Sequence, residues 1–552
     1  MIKYFIALVL FLSLSLQLDA QSTQAAKYWV RFTDKVNTPY SVYQAQDYLS
    51  PRALERRQKQ GIAITESDLP VDPAYLAAIR GQVKEISHVS KWLNAATVVA
   101  EPDSISALEQ LPMVAAVDYI GAWNTTQKKR NKGEPRKSIG KIKKIDRYYG
   151  YGTIQTGLIR AQALHELNGW GQGKLVAVMD GGFINVDESP FFDSLRMAGL
   201  LLQGMDFVDQ DREVFESSGH GTQVLSTMAA NQPGLLVGTA PYAHYVLIKT
   251  EDVRNEYLVE ECNWVVGLEW ADSLGADIVN SSLGYTTFND EEMNYKYADL
   301  DGRTSRASLA ADIAYSKGMI VVNSAGNSGA GSWKYIGTPA DAFDIVAVGG
   351  IDWQGRRASF SSFGPSYDGR VKPTVAVMGQ EVAVAAVNSF DITFSNGTSF
   401  ASPTLAGVFA ALWSAFPEAT NEEIVAAVRQ SGHLYPGFSD ELGYGIPDLL
   451  KAYRLMQGSD REGRRDDLGQ AWVWPNVVEQ EAGLLLLEEL EEEAKVSIKD
   501  LTGEVLIEAV FPSATGYLHR FSLPDIDQLI PGFYHVQVQV GIKLSHSYMI
   551  KK

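Results

Sequence analysis

The chain has 552 residues, 45% of them hydrophobic, so a large core can form and wholesale disorder is excluded. Lys plus Arg number 48 against 66 for Asp plus Glu, a formal charge of −18. That balance argues against a nucleic-acid-binding protein, which favours basic surfaces, and the length allows about three or four domains.

At the N-terminus, Met1-Ile2-Lys3 precedes an apolar run from Tyr4 to Leu16 and then Leu18-Asp19-Ala20. A positive start, a short apolar core and a small residue predict a cleaved secretory signal over residues 1–20. A membrane anchor needs about 20 apolar residues, and this run is shorter. No later segment is long and apolar enough to be a transmembrane helix.

Residues 27–120 read as a compact α/β unit. Tyr28 to Phe32 alternates like a strand. Ser50 caps a helix with Pro51 at its first position. Ala95 to Ala100 is a second strand, Asp103 caps a helix through Leu111, and Val114 to Val117 returns as a strand. Residues 121–150 are a basic linker, with Lys128, Lys129, Arg130 and Lys132 at its head and only Glu134 and Asp146 opposing. Such a block is an exposed connector, open to proteolysis, before it is a nucleic-acid patch.

From 151 to 456 apolar runs alternate with helical stretches. Leu175–Met179, Tyr245–Ile248, Ile278–Val279, Met319–Val322 and Ile345–Val348 read as buried parallel strands. Leu258 to Leu274 and Arg306 to Lys317 read as helices between them. The fold class is therefore α/β, a parallel sheet with helices on both faces. Cys262, the single cysteine, excludes an intramolecular disulfide, and its stretch Glu260–Val266 reads as an amphipathic helix carrying a buried, inert thiol. Residues 457–470 are a polar linker, and 471–552 read as an all-β domain. Its strands include Lys495–Asp500, Glu504–Ile507, Pro531–Val540 and Ser545–Ile550, and its Glu-rich stretch Glu488–Glu493 reads as a solvated connector.

Three segments carry the chemistry: Val178-Met179-Asp180-Gly181-Gly182, Ser218-Gly219-His220-Gly221-Thr222 and Asn396-Gly397-Thr398-Ser399-Phe400-Ala401-Ser402-Pro403. A serine hydroxyl becomes a nucleophile when an imidazole takes its proton, and the imidazole needs a carboxylate to fix its tautomer. Asp180 ends a buried strand, where functional groups of open parallel sheets collect. Alone, it is equally a strand-end turn. Ser399 opens an apolar helix from Phe400 to Ala415 with Pro403 in its first turn, a place that favours developing negative charge. Alone, it is an N-cap serine. Asn327 follows a strand in Ala325-Gly326-Asn327, where a side-chain amide can donate to an oxyanion or be a plain loop residue.

The order Asp, His, Ser, together with Gly238-Thr239-Ala240-Pro241, Asn280-Ser281-Ser282-Leu283-Gly284 and Ala325-Gly326-Asn327, resembles the subtilisin-like serine proteases over residues 151–456. The resemblance implies Asp180 as orienting carboxylate, His220 as base then acid, Ser399 as nucleophile and Asn327 as oxyanion donor. It implies Ser282, Leu283 and Gly284 as the edge that pairs with polypeptide substrate. Ser324, Ala325 and Gly326 would line the first specificity pocket, with Gly337 at its base, suiting large apolar or aromatic residues. No organic cofactor is implied; calcium commonly stabilises the family, but no clean ligand loop stands out. One departure is Asp180-Gly181-Gly182, where the family usually has Thr or Ser after the Asp.

Residues 27–120 are similar to the family's inhibitory pro-regions. The last domain resembles the C-terminal sorting domains of the type nine secretion system of Bacteroidetes, through Trp474-Pro475-Asn476, Val496 to Gly503, Ile530-Pro531-Gly532-Phe533-Tyr534 and the closing Ile550-Lys551-Lys552. These likenesses imply a secreted or cell-surface pre-pro-enzyme that engages that export machinery. The rivals are a binding protein on a protease scaffold, an esterase, and a C-terminal β-sandwich kept as a binding module. A nucleophile elbow wants glycine two places after the serine, and Ala401 stands there.

Overall fold

The computed structural model describes residues 24–123, 148–457 and, within 471–551, all but 475–476, 479–481, 488–489, 491, 501–503, 515–517, 531 and 542. The signal segment, the basic residues from Lys128 to Arg147, the polar linker beyond Gln457, Pro475-Asn476, Leu501-Thr502-Gly503, Pro531 and Lys552 lie outside the described residues.

The N-terminal unit is a four-stranded antiparallel sheet in the order Glu85–Ser90, Ala95–Ala100, Ala26–Phe32, Val114–Ala122. The helices Pro51–Lys59 and Pro73–Arg80 accompany it. Ser50 accepts from Ala53 N at 3.1 Å with Pro51 just inside, so the first helix starts where its cap chemistry demands. Asp103 does not cap a helix. It falls in the 3-10 turn Pro102–Ser104, which Pro102 starts early, and the helix is only Ile105–Glu109.

The middle of the chain builds a seven-stranded parallel sheet. Its order is Val375–Met378, Val346–Ile351, Ile320–Ser324, Ile278–Ser281, Leu175–Asp180, His244–Lys249 and Met205–Asp206. The apolar runs mark the inner strands, which are buried along their length. Of the two outermost strands, Val375–Met378 is also a buried apolar run, whereas Met205–Asp206 is too short to show one. The chain leaves Leu175–Asp180 toward one side of the sheet, then crosses to the other at Ile278–Ser281. Asp180 therefore stands at the carboxyl end of the strand where the order reverses, the place such sheets put their sites.

The helix Val259–Leu274 is buried on nearly every face, not amphipathic. One side packs on the sheet, and the polar side is covered by the N-terminal unit. Glu269 accepts from the backbone N–H of Lys91 at 2.8 Å and of Trp92 at 3.1 Å, and from the Ser90 hydroxyl. Asp272 takes three cations of that unit: Arg57 at 2.9 and 3.0 Å, Lys91 at 3.3 Å, and Arg56. Burial alone would raise the Asp272 pKa; Lys91, Arg56 and Arg57 outweigh it and hold the carboxyl well below the usual range. Cys262 is wholly buried in the same seam, in one cluster with Trp29, Ala95 and Ile120 of the N-terminal unit.

The last unit has a three-stranded and a five-stranded sheet. Leu484 and Leu486 of one share a core with Val496, Ile498, Val536 and Val538 of the other. The alternation in Gly532–Val540 is what sends Tyr534, Val536, Val538 and Val540 to that core. The Glu-rich connector is not wholly solvated, because Leu490 is buried and bridges to Ala514. Among the described residues no helix is long and apolar enough to cross a membrane.

Candidate active site

Asp180 is buried at the end of its strand, and His220 is the first residue of the helix His220–Ala229. His220 Nδ1 lies 2.9 and 2.8 Å from the two Asp180 carboxylate oxygens. A carboxylate only accepts, so Nδ1 carries the proton and Nε2 is left to act as a base. Gly181 N donates to Asp180 Oδ1 at 2.8 Å, fixing the carboxylate. Gly182 has a physical reason to be glycine: its φ is +140°, and a Cβ would sit 2.0 Å from the Glu216 carbonyl oxygen.

The serine helix runs Thr398–Ala415, so Ser399 is its second residue and Pro403 lies beyond the first turn. In an α-helix the N–H of residue 403 would bond the carbonyl of 399, and proline has none. The Ser399 carbonyl instead accepts the Ser282 hydroxyl at 2.9 Å. Ser402 Oγ donates to Asn280 Oδ1 at 2.8 Å, a second tie to the strand Ile278–Ser281. Ser399 is 8% exposed, and its hydroxyl has a long 3.5 Å contact to the Ser282 carbonyl. The His220 ring stands 5.8 Å from the ring of Phe400, the next residue, so the imidazole overlies the start of the serine helix.

Asn327 Oδ1 accepts from Thr398 N at 2.9 Å and Thr398 Oγ1 at 3.1 Å. The amide oxygen is thereby committed, and Nδ2 is the free donor end. A Cβ on Gly397 would lie 3.6 Å from that nitrogen, so it faces the approach to Ser399.

The predicted pocket residues also converge. Asn323 Nδ2 donates to the Leu283 carbonyl at 3.1 Å and the Ser324 carbonyl at 2.8 Å, joining the Ser282–Gly284 and Ser324–Gly326 segments. A Cβ on Gly326 would be 3.9 Å from Gly337 N, and one on Gly284 3.6 Å from the Thr338 carbonyl oxygen. Ala325 is buried beneath this junction.

Among the described residues, two groups of three carboxylates could hold a cation on distance alone: Asp206, Asp209, Glu216 and Glu251, Glu256, Glu260. The first does not fit a metal, because Lys249 already fills it, with Nζ at 2.7 Å from Asp206, 3.0 Å from Asp209 and 2.9 Å from Glu216. Burial opposes the Lys249 charge, but its bonds to Asp206, Glu216 and Asp209 outweigh burial and raise its pKa above the usual lysine value. In the second group, Glu251 accepts the Tyr285 hydroxyl and Glu260 accepts Asp252 N at 3.0 Å. Nothing in the local sequence pattern singles out Lys249. The available signal is a charge closing an apolar strand, read together with the acids clustered just before His220.

A model of the Subtilase family matches residues 171–445, and one of the Peptidase S8 propeptide domain of Bacteroidota matches residues 27–136. The chain is 30% identical to Subtilisin NAT of Bacillus subtilis subsp. natto over 370 residues, covering 66% of this chain and 81% of that protein. It is 28% identical to a Thermostable alkaline protease of Halalkalibacterium halodurans over 367 residues, 63% of this chain and 89% of the relative. It is 32% identical to a Subtilisin of Bacillus pumilus over 308 residues, 55% and 98% respectively.

Proposed function

Given that the chain belongs to the subtilase family and is a serine-type endopeptidase with its own propeptide domain, we propose that Ser399, His220 and Asp180 are its catalytic triad. The observation that carries this is the pair of 2.9 and 2.8 Å contacts from His220 Nδ1 to Asp180, with the same ring against the residue after Ser399. His220 Nε2 takes the Ser399 proton as Oγ attacks the peptide carbonyl. Asp180 stabilises the imidazolium that forms, without itself taking a proton. Asn327 Nδ2 and the Ser399 N–H receive the negative charge that develops on oxygen. His220 then gives its proton to the leaving amine, and water repeats the sequence on the acyl-enzyme.

The Ser282–Gly284 edge pairs with substrate backbone, and Ser324, Ala325, Gly326 and Gly337 bound a pocket without charge. It therefore selects large apolar or aromatic residues before the cut. A peptide-library profile dominated by Arg, Lys or Asp there refutes this. Residues 27–120 inhibit the enzyme until cut away through the basic linker. The last unit is a β-sandwich export tag of the type nine secretion kind, and the mature enzyme acts outside the cell.

Mass spectrometry of wild type and Ser399→Ala, each incubated with an unfolded protein and a fluorophosphonate probe, tests the assignment. Probe on Ser399, substrate cleavage and loss of the N-terminal unit in the wild type alone are expected. An intact, unlabelled wild type leaves either a zymogen that another protease must cut or a binding protein on this scaffold, and a wild type still unlabelled after its linker is nicked with trypsin overturns the assignment in favour of the latter.

A further inference from the structure

Lys249 ends the strand beside Asp180, and the two residues are register partners. Its side chain is 2% exposed, yet it carries a charge matched by three carboxylates, one for each ammonium proton. The three carboxylates belong to the loop that delivers His220. Asp206 opens it and turns it, accepting Val208 N at 2.7 Å and Asp209 N at 3.0 Å. Glu216 closes it: its carbonyl accepts Ser218 N at 2.7 Å, and Ser218 Oγ accepts His220 N at 3.1 Å. The Glu216 carbonyl also lies against Gly182, and Ile184 N donates to the Ser218 carbonyl at 3.1 Å.

We propose that Lys249 is a positioning residue for His220, a built-in cation that does for this loop what a bound metal ion would do. The ammonium gathers three acids that would otherwise repel, and so fixes the backbone on which the imidazole is mounted, next to the strand on which Asp180 is mounted. This inference rests on His220 being the base. Misplacing a catalytic group by about 1 Å lowers turnover on the order of 100-fold while leaving substrate contacts intact. Loss of Lys249 therefore acts on kcat and spares KM. With the ammonium gone, the three carboxylates become an oxygen site of the kind calcium takes.

The test measures kcat and KM with a chromogenic peptide on active-site-titrated enzyme, for wild type, Lys249→Ala, Lys249→Arg and Glu216→Gln, with Ser399→Ala at matched protein concentration as the control. Lys249→Ala is expected to lower kcat about 10- to 100-fold with KM within about twofold, and Lys249→Arg to keep most of the activity. Millimolar calcium is expected to restore Lys249→Ala and leave wild type unchanged. A kcat for Lys249→Ala within about twofold of wild type overturns the proposal, as does calcium that leaves the variant slow. If Lys249→Ala does not fold, Glu216→Gln carries the test, since that side chain is half exposed: a several-fold lower kcat supports the proposal and an unchanged one overturns it. Wild type without activity, or Ser399→Ala with it, defeats the triad assignment instead and is told apart by those two samples alone.

Discussion

The Ser282 hydroxyl holds the Ser399 carbonyl at 2.9 Å, in the place where the helix would have supplied a backbone N–H had residue 403 not been proline. The edge assigned to substrate and the helix assigned to the nucleophile are thus fastened by one hydrogen bond. Removing a partner leaves a buried acceptor unpaired, which costs roughly 1–3 kcal/mol. Ser282→Ala is expected to destabilise by that amount in chemical denaturation, read in a Ser399→Ala background that prevents self-digestion. Adding Pro403→Ala restores an N–H four residues on, so the double variant should recover part of the loss. Strict additivity of the two changes would show that the carbonyl does not depend on Ser282.

Asn327→Ala removes the donor proposed for the developing oxyanion while leaving the proposed triad residues in place. A loss of about 10²–10³ in kcat is expected, the order known for this amide in a subtilisin, with KM little changed. Thr398 loses its acceptor in the same variant. A fall in KM-side binding without a fall in kcat would assign Asn327 to holding Thr398 alone.

The strands that carry Asp180 and the parallel neighbours around it were legible because a strand buried on both faces is an unbroken apolar run. The edge strand Met205–Asp206 is too short to offer such a run, whereas Val375–Met378 is one and differs from the inner strands only in its place at the edge. Val259–Leu274 looked amphipathic because its polar residues are covered by another part of the same chain, through the Glu269 and Asp272 contacts. No periodicity in one helix can announce that. Asp180, His220, Ser399 and Asn327 stood out through flanking glycines and order. Lys249 did not, because its proposed role depends on acids from a loop that only the fold brings beside it.

Asp272 is wholly buried beneath Arg56, Arg57 and Lys91. Removing one member of a buried charged set leaves the others uncompensated, at about 3–5 kcal/mol. Asp272→Asn should weaken the hold on the N-terminal unit by that order, measured as its retention after the linker is nicked in Ser399→Ala protein. Undiminished retention would assign the hold to Glu269 and the apolar seam instead.

His88 donates through Nε2 to the Phe207 carbonyl at 2.6 Å across the same interface. Burial pulls its pKa from 6.5 down to about 4, with the Phe207 bond opposing and Lys27 and Glu85 nearby acting in opposite senses. The folded pKa lies below the unfolded one, so the neutral ring's contribution is complete above pH 6.5 and is lost as pH falls toward 4. Roughly 2–3 kcal/mol should disappear over that window. Burial raises the Glu269 pKa, which works the other way. The comparison that decides is therefore wild type against His88→Phe: the difference in urea midpoint should change with pH between 7 and 4.5, and a constant difference would rule out the effect.

Cys262 reports on the same event from the other side of the seam. Its thiol is pushed up to about 12, chiefly by burial, and it packs with Trp29, Ala95 and Ile120 of the N-terminal unit. Only the thiolate is alkylated, so in the intact chain iodoacetamide should leave it untouched. Departure of the N-terminal unit is expected to uncover the seam and return the thiol toward an ordinary value of about 8.5. Labelling of wild type should therefore begin when self-processing ends, while uncleaved Ser399→Ala stays unlabelled. Equal labelling of both proteins from the outset would mean that the seam is already open in the precursor.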